Sequence, residues 1–276
     1  MRAALLQMTS GIDPAENARA ITDAMAQAKR DGADMLFTPE MAGYLDRDRA
    51  RAAATLTGED GNVVLAAVRE AAAATGLWVH IGSLALKDER SDGRWANRTF
   101  VIDGSGAIRA RYDKIHLFDV DLPTGESWRE SSVYGPGERA VAVDTPWARI
   151  GLSICYDMRF PDLYRALSNA GATILAVPAA FTVPTGAAHW HVLLRARAIE
   201  AGAFVIAPAQ VGLHADGRTT YGHSLIVDPW GDILCDMGAE AGLAVVDIDL
   251  GRVDDVRARV PALMHRRQID AQVALS

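Results

Sequence analysis

The chain repeats its own pattern. Arg2-Ala3-Ala4-Leu5-Leu6-Gln7-Met8 is paralleled by Arg149-Ile150-Gly151-Leu152-Ser153-Ile154-Cys155. Gly32-Ala33-Asp34-Met35-Leu36-Phe37-Thr38-Pro39 is paralleled by Gly171-Ala172-Thr173-Ile174-Leu175-Ala176-Val177-Pro178. Gly76-Leu77-Trp78-Val79 matches Gly202-Ala203-Phe204-Val205, and Phe100-Val101-Ile102-Asp103 with Gly106 and Ile108 matches Leu225-Ile226-Val227-Asp228 with Gly231 and Ile233. The offsets, 147, 139, 126 and 125 residues, only shrink along the chain. Any α/β chain repeats strand-turn-helix patterns, but four matches in a fixed order favour two similar β/α halves. Strands such as Thr173–Val177 and Phe204–Ala207 are nearly continuously apolar and must be covered on both faces. A four-layer αββα sandwich, with two pseudo-symmetric halves related by a pseudo-twofold axis, meets that demand.

The local signals fit this architecture. Asp13-Pro14-Ala15-Glu16 reads as a helix start, with proline at the first helical position, and the helix runs to about Arg30. A second helix is expected over about Gly61–Ala74, a strand over Trp78–Leu86, and strands on both sides of Asp103-Gly104-Ser105-Gly106. A chain of 276 residues that is half apolar has ample material for a core. We expect a single domain over 1–276.

Charge and cysteine usage narrow the function classes. The net charge of −7 argues against a nucleic-acid backbone partner and against anionic membranes. Two cysteines, Cys155 and Cys235, cannot form a disulfide framework, so a reducing, cytoplasmic setting fits. The N-terminal apolar run is too short for a secretory signal, and no apolar stretch reaches the ~20 residues of a membrane span.

Several motifs carry little. Gly104-Ser105-Gly106 lacks the third glycine of a dinucleotide loop and reads as a hairpin turn. Gly151-x-Ser153-x-Cys155 lacks the second glycine of a nucleophile elbow. His189 and His191 fall about 200° apart on a helix and would not converge on one ion, so no metal and no cofactor is expected. Cys235 reads as a buried small hydrophobe. Arg195, Arg197 and Glu200 read as an amphipathic helix face with an Arg–Glu pair one turn apart.

Three segments differ from ordinary packing. Phe37-Thr38-Pro39-Glu40 ends a buried strand in a carboxylate. Tyr112-Asp113-Lys114-Ile115-His116-Leu117-Phe118-Asp119 leaves a strand with a lysine among apolar residues. Gly151-Leu152-Ser153-Ile154-Cys155-Tyr156-Asp157-Met158-Arg159-Phe160-Pro161 ends a strand in cysteine before a proline-started helix. Glu40 and Cys155 both sit just past the carboxyl ends of strands, where open α/β sheets bind ligands. Their repeat equivalents, Ala179 and Met8, are chemically inert, which points to one active site and not two.

Together these segments resemble the nitrilase-type carbon–nitrogen hydrolases, and the resemblance covers almost the whole chain. Thr185-Gly186-Ala187-Ala188-His189-Trp190, Leu193-Leu194-Arg195-Ala196-Arg197-Ala198-Ile199-Glu200 and Tyr221-Gly222-His223-Ser224-Leu225-Ile226-Val227-Asp228-Pro229-Trp230-Gly231 resemble the Nit branch of that family. Nitrilases proper usually carry Cys-Trp-Glu at the nucleophile, whereas this chain has Cys155-Tyr156-Asp157. Many relatives have Glu where this chain has His191.

The resemblance implies a Glu40-Lys114-Cys155 triad hydrolysing a linear amide through a thioester, without a cofactor, and releasing ammonia. Glu40 would shuttle protons, a role expected to need a pKa raised by burial. Lys114 and the backbone N–H of Tyr156 would hold the oxyanion. Glu130 is the matching position for a second glutamate that keeps Lys114 charged, with Glu126 and Glu138 close by. Arg159 would either recognise a substrate carboxylate or pair with a nearby Asp, and Phe181 and Tyr44 would line the pocket or belong to the core. The implied substrate is deaminated glutathione or a similar ω-amide of a 2-oxo acid. N-carbamoyl-amino-acid hydrolysis, aliphatic amide hydrolysis and a non-catalytic scaffold of the same fold are the alternatives. The resemblance also implies a homodimer, with the chain from about His265 wrapping a neighbour or loose.

Overall fold

A computed structural model describes residues 1–87, 92–122 and 125–269. The first half runs β1 (Arg2–Gln7), α1 (Pro14–Arg30), β2 (Met35–Phe37), α2 (Arg49–Thr55), α3 (Val63–Thr75), β3 (Trp78–Leu86), β4 (Ala96–Ile102) and β5 (Ile108–Asp113). A small hairpin, β6 (Asp119–Asp121) and β7 (Ser127–Arg129), separates the halves. The second half runs β8 (Val141–Asp144), β9 (Arg149–Leu152), α4 (Pro161–Asn169), β10 (Ile174–Ala176), α5 (Val183–Ala201) and β11 (Phe204–Ala207). It continues with the hairpin β12 (Val211–Leu213) and β13 (Thr219–Tyr221), then β14 (Leu225–Val227) and β15 (Ile233–Asp236). β16 (Gly242–Asp247) and α6 (Gly251–Arg259) complete the described elements.

The strands form two six-stranded sheets, ordered β16-β1-β2-β3-β4-β5 and β8-β9-β10-β11-β14-β15. Strand for strand, β1 corresponds to β9, β2 to β10, β3 to β11, β4 to β14 and β5 to β15, the pairing that the repeated segments predict. The correspondence extends to side chains. Arg2 bonds Asp247 and the Asp31 carbonyl, while Arg149 bonds Asp144 and the Ala170 carbonyl. Asp103 and Asp228 each accept two backbone N–H groups in the turn that follows β4 or β14. The two edge strands differ in origin. β8 precedes β9 in the chain, whereas the first sheet borrows its edge from the far end, β16 lying antiparallel to β1.

Side-chain alternation sorts the core into layers. Ala3, Leu5, Met35 and Phe37 face the second sheet and pack with Ile150, Leu152, Ile174 and Phe204. Ala4, Leu6 and Leu36 point the other way, onto Ile21 and Met25 of α1 and Val64 and Val68 of α3. α4 and α5 cover the second sheet through Leu163, Leu167, Trp190 and Leu194. Helix, sheet, sheet and helix thus stack as the αββα sandwich. Asp13 caps α1 by accepting from Ala15 and Glu16 N–H, and Gly76 and Gly202 close α3 and α5 in the left-handed conformation.

Two expectations change. α2 is unforeseen because Arg-Ala-Arg-Ala-Ala-Ala-Thr has no apolar stripe; it forms on an Asp48 cap. Cys235 is half-buried at the margin of the core, not enclosed within it, because β15 is the sheet's edge. Of the tail from His265, residues up to 269 are described, and Arg266 there donates to the Asn169 side chain at 2.6 Å. Among the described residues no helix is long and apolar enough to cross a membrane.

Candidate active site

The pseudo-twofold axis brings the carboxyl ends of β2, β9 and β10 together. The turns after β2 and β10 meet at Gly82, where a Cβ would lie 2.1 Å from the Thr38 carbonyl oxygen and 2.5 Å from Pro178 Cβ. Only glycine permits that approach. Glu40 follows at the end of the first turn, and its Oε2 accepts the backbone N–H of Ala180 from the second turn at 2.9 Å. Cys155 N–H donates to the Pro178 carbonyl at 2.8 Å. Cys155 (φ 50) and Met41 (φ 55) both hold left-handed backbone, a conformation that costs non-glycine residues roughly 1–3 kcal/mol and clusters at functional sites.

Lys114 leaves the end of β5 and is 2 % exposed. Its Nζ donates to Glu40 Oε1 at 2.8 Å and to Glu130 Oε2 at 2.9 Å. Asn97 Nδ2 from β4 bridges the same carboxylates, at 3.0 Å to Glu40 and 3.2 Å to Glu130. Glu130 is fixed further by the Phe118 N–H at 2.7 Å. Burial alone would drive the proton off Lys114, and it is the largest single influence. The charges of Glu130, Glu40 and Cys155 outweigh it, so the ammonium is held well above its ordinary range.

The Glu40 carboxyl differs from expectation. Burial pushes it up most strongly, but the Lys114 charge and hydrogen bonds from Lys114, Cys155 and Asn97 together reverse the sign. Its pKa is lowered, not raised. The Cys155 thiol is pushed well above its ordinary range by burial and then by the Glu40 charge, against the pull of Lys114. The resting group is therefore a thiol, a carboxylate and an ammonium.

Asp157 locks the Cys155 turn to the lysine segment. Its Oδ2 accepts the Tyr112 hydroxyl at 2.6 Å and the Ile154 N–H at 2.9 Å, and its Oδ1 accepts the His116 N–H at 3.0 Å. Sequence reasoning misses both Asn97 and Asp157. Asn97 lies in a strand with nothing local to mark it, whereas Asp157 stands in plain view, two residues after Cys155.

The remaining candidates divide. Tyr156 and Phe181 flank the Arg159 guanidinium, with ring centroids 5.8 and 5.7 Å from its central carbon, and Phe181 rests on Trp190. Arg159 meets His189 at 3.2 Å, and among the described residues no carboxylate lies within the 4.0 Å of an ion pair, so the alternative of an Asp partner is not found. Tyr44 sits elsewhere: it is buried with Ala52, Leu56 and Ala85, gives its hydroxyl to Asp46 at 2.7 Å, and lines a cleft of about 240 Å³ containing none of the triad. The core alternative describes Tyr44, and the pocket role does not. Ser153 is buried and bonds Tyr164 and the Ala176 carbonyl, and Arg197 pairs with Glu200 as the helix spacing requires.

A Cys, a Lys and a Glu gathered on one pseudo-symmetric αββα scaffold define a class of hydrolase, and the family comparison agrees. The carbon–nitrogen hydrolase family model matches residues 2–258, and the chain belongs to that family. The deaminated glutathione amidase of Synechocystis sp. strain PCC 6803 is 41% identical over 271 residues, covering 96% of this chain and 97% of that protein. The crystal structure of the C. elegans NitFhit protein superposes with a TM-score of 0.88 at 38% identity, over 96% of this chain and 65% of that one. An amidase from Nesterenkonia sp. AN1, seen with acrylamide added to its active-site cysteine, superposes with a TM-score of 0.78 at 28% identity, over 95% and 98% of the two chains.

Proposed function

We propose that this carbon–nitrogen hydrolase cleaves the amide of deaminated glutathione, or a similar ω-amide of a 2-oxo acid, through a thioester on Cys155. The observation that carries the reading is the buried Lys114 ammonium bonded to both Glu40 and Glu130, with the Cys155 thiol hydrogen-bonded to Glu40. The amidase relative supports the substrate class.

Glu40 takes the Cys155 proton as sulfur attacks the amide carbon. The oxyanion that forms is held by Lys114 and the backbone N–H of Tyr156. Glu40 then returns the proton to nitrogen, the C–N bond breaks and the amine leaves. Water enters, and Glu40 removes its proton as its oxygen bonds to the thioester carbon. The C–S bond then breaks to release the acid while Glu40 returns the proton to sulfur and restores the thiol. The lowered Glu40 pKa keeps the base ionised at neutral pH, and transfer from sulfur is driven by attack, without prior ionisation of the thiol. Glu130 keeps Lys114 charged. Arg159, steadied by Tyr156 and Phe181, is offered to the substrate's carboxylate. The leaving amine is ammonia only for a primary amide; deaminated glutathione would release cysteinylglycine.

We also read the protein as cytoplasmic and homodimeric. Val192 and Ile199 lie exposed on α5, at 68% and 53%, and a second copy would cover them. Light scattering after gel filtration tests this reading.

Product release from deaminated glutathione, α-ketoglutaramate, an N-carbamoyl amino acid and a simple nitrile, with wild type beside Cys155→Ala, tests the function. Turnover of one of the first two, lost in the variant, is expected. Turnover of the carbamoyl compound alone would replace the substrate assignment. Silence on all four together with an unreactive thiol would leave a scaffold.

A further inference from the structure

Outside the active site, α5, the turn between β13 and β14, and the end of β15 bring His191, His223 and Asp236 together. Their donor atoms all lie within 4.8 Å of one another. His191 Nε2 and His223 Nδ1 each stand 2.9 Å from a different oxygen of Asp236. We propose that these three side chains form a binding site for one divalent transition-metal ion of the zinc class.

The donor set is chemically apt. Two imidazoles and a carboxylate are a common protein ligand set for such an ion, and water can complete the coordination. Bonds of 2.0–2.1 Å in a tetrahedron put neighbouring donors roughly 3.3 Å apart. With one carboxylate oxygen bound, the 2.9 Å contact to that oxygen opens by a few tenths of an ångström, while the other imidazole, whose donor lies within 4.8 Å, draws in toward the ion. On binding, each imidazole proton moves to the far ring nitrogen and frees the near one. The three side chains are 26–32% exposed, so an ion and its water have access. Among the described residues, no Lys or Arg lies within 4.0 Å of the Asp236 carboxylate, so none competes with the ion there.

The site is also held in shape. Tyr221 stacks on His223 with ring centroids 4.5 Å apart and planes 23° apart. His223 has left-handed backbone (φ 55), fixed by its N–H to the Gly238 carbonyl at 2.7 Å and by its own carbonyl, which accepts Trp190 Nε1 at 2.8 Å. Asp236 Oδ1 accepts the Gly238 N–H at 2.9 Å. His189, the other member of the His-x-His pair, points to Arg159 instead. The ion would staple α5 to the sheet edge. It would thereby hold Trp190, whose ring packs on Phe181, and take no part in bond breaking.

The test uses full-length protein carrying Cys155→Ala and Cys235→Ser, which removes thiol ligands. After chelator treatment and dialysis it is titrated with Zn2+ and, for its absorption spectrum, Co2+. One equivalent retained per chain through gel filtration is expected, with a raised Tm. His191→Gln, Asp236→Asn and His223→Asn, the last chosen because Asn tolerates left-handed backbone, should each weaken binding at least tenfold, as even outer-shell changes do at metal sites. His189→Ala should not. A folded parent that retains no ion overturns the proposal, as does an ion retained equally by all three variants. The parent titration decides alone if a variant does not fold.

Discussion

Replacing Glu40 by Gln should make the thiol of Cys155 more acidic and the enzyme far slower. Gln keeps an oxygen to accept from Lys114 Nζ, which stands 2.8 Å away, and removes one negative charge. The trio of Lys114, Glu40 and Glu130 then goes from one net negative charge to none. Burial and the Glu40 charge both raise the Cys155 pKa, and Lys114 lowers it. In the variant the first and last of these remain. A unit charge about 4 Å away at an effective dielectric of ~20 is worth about 4 kcal/mol, or on the order of three pKa units before relaxation. A fall of at least about one unit is expected, read as thiolate ultraviolet absorbance against pH with Cys155→Ala subtracted. Turnover should nonetheless drop ~10²–10⁴-fold, about 3–5 kcal/mol of barrier, because no base remains to carry the proton from sulfur to nitrogen. A thiol midpoint that stays or rises would refute the claim that ionised Glu40 faces the sulfur. A turnover loss under tenfold would place the base elsewhere.

Lys114→Met leaves the buried Glu40 and the partly buried Glu130 sharing one Asn97 amide and no cation; a loss of roughly 3–5 kcal/mol in urea unfolding is expected at pH 8. Without the Lys114 charge the folded Glu40 pKa rises, so the loss should shrink toward pH 5, and a deficit independent of pH would count against the charge argument. Arg159→Leu should raise KM ~10–100-fold for carboxylate-bearing amides and leave a neutral amide unchanged, since a hydrogen bond to a charged group is worth about 1.5–3 kcal/mol. Equal losses on both would mean that Arg159 is structural. His80 is fully buried beside Phe37 with neither ring nitrogen bonded, and burial pushes its pKa down to about 3. Below about pH 6.5 the unfolded imidazole takes up a proton that the native one refuses, so this group costs stability as pH falls toward 3. His80→Leu should therefore gain ~2 kcal/mol more at pH 5 than at pH 7 in urea unfolding, and equal gains would show that the native ring does titrate there.

Much of the candidate site is legible in the amino-acid sequence, because its members sit at strand ends that the repeat itself marks out. Glu40 and Cys155 occupy positions whose equivalents, Ala179 and Met8, are inert, and asymmetry within a repeat can be read in one dimension. Glu130 is located in sequence only through the family resemblance, as the position of the second glutamate that follows Lys114. The structure separates it from Glu126 and Glu138 by the two hydrogen bonds that it receives from Lys114. Asn97 and Asp157 are not legible in this way, because an amide or carboxylate acting through hydrogen bonds needs no local pattern. Arg159 and Tyr44 each admit two readings in one dimension, and choosing between them requires knowing what lies across the fold.

The sequence by itself determined the two halves, the correspondence of their strands and their layering, since burial patterns repeat at short range. It also determined which thiol, amine and carboxylate were set at strand ends. Three things were left to the tertiary structure. One is the sign of the Glu40 shift, which depends on burial competing with a lysine 74 positions away. Another is the edge strand β16, borrowed from the far end of the chain. The last is the meeting of His191 with His223 and Asp236, residues 32 and 45 positions apart from it, in place of the His189 neighbour that helix geometry turns away. Electrostatics and coordination act through space, and distances of a few ångströms between remote residues exist only once the sheets have packed.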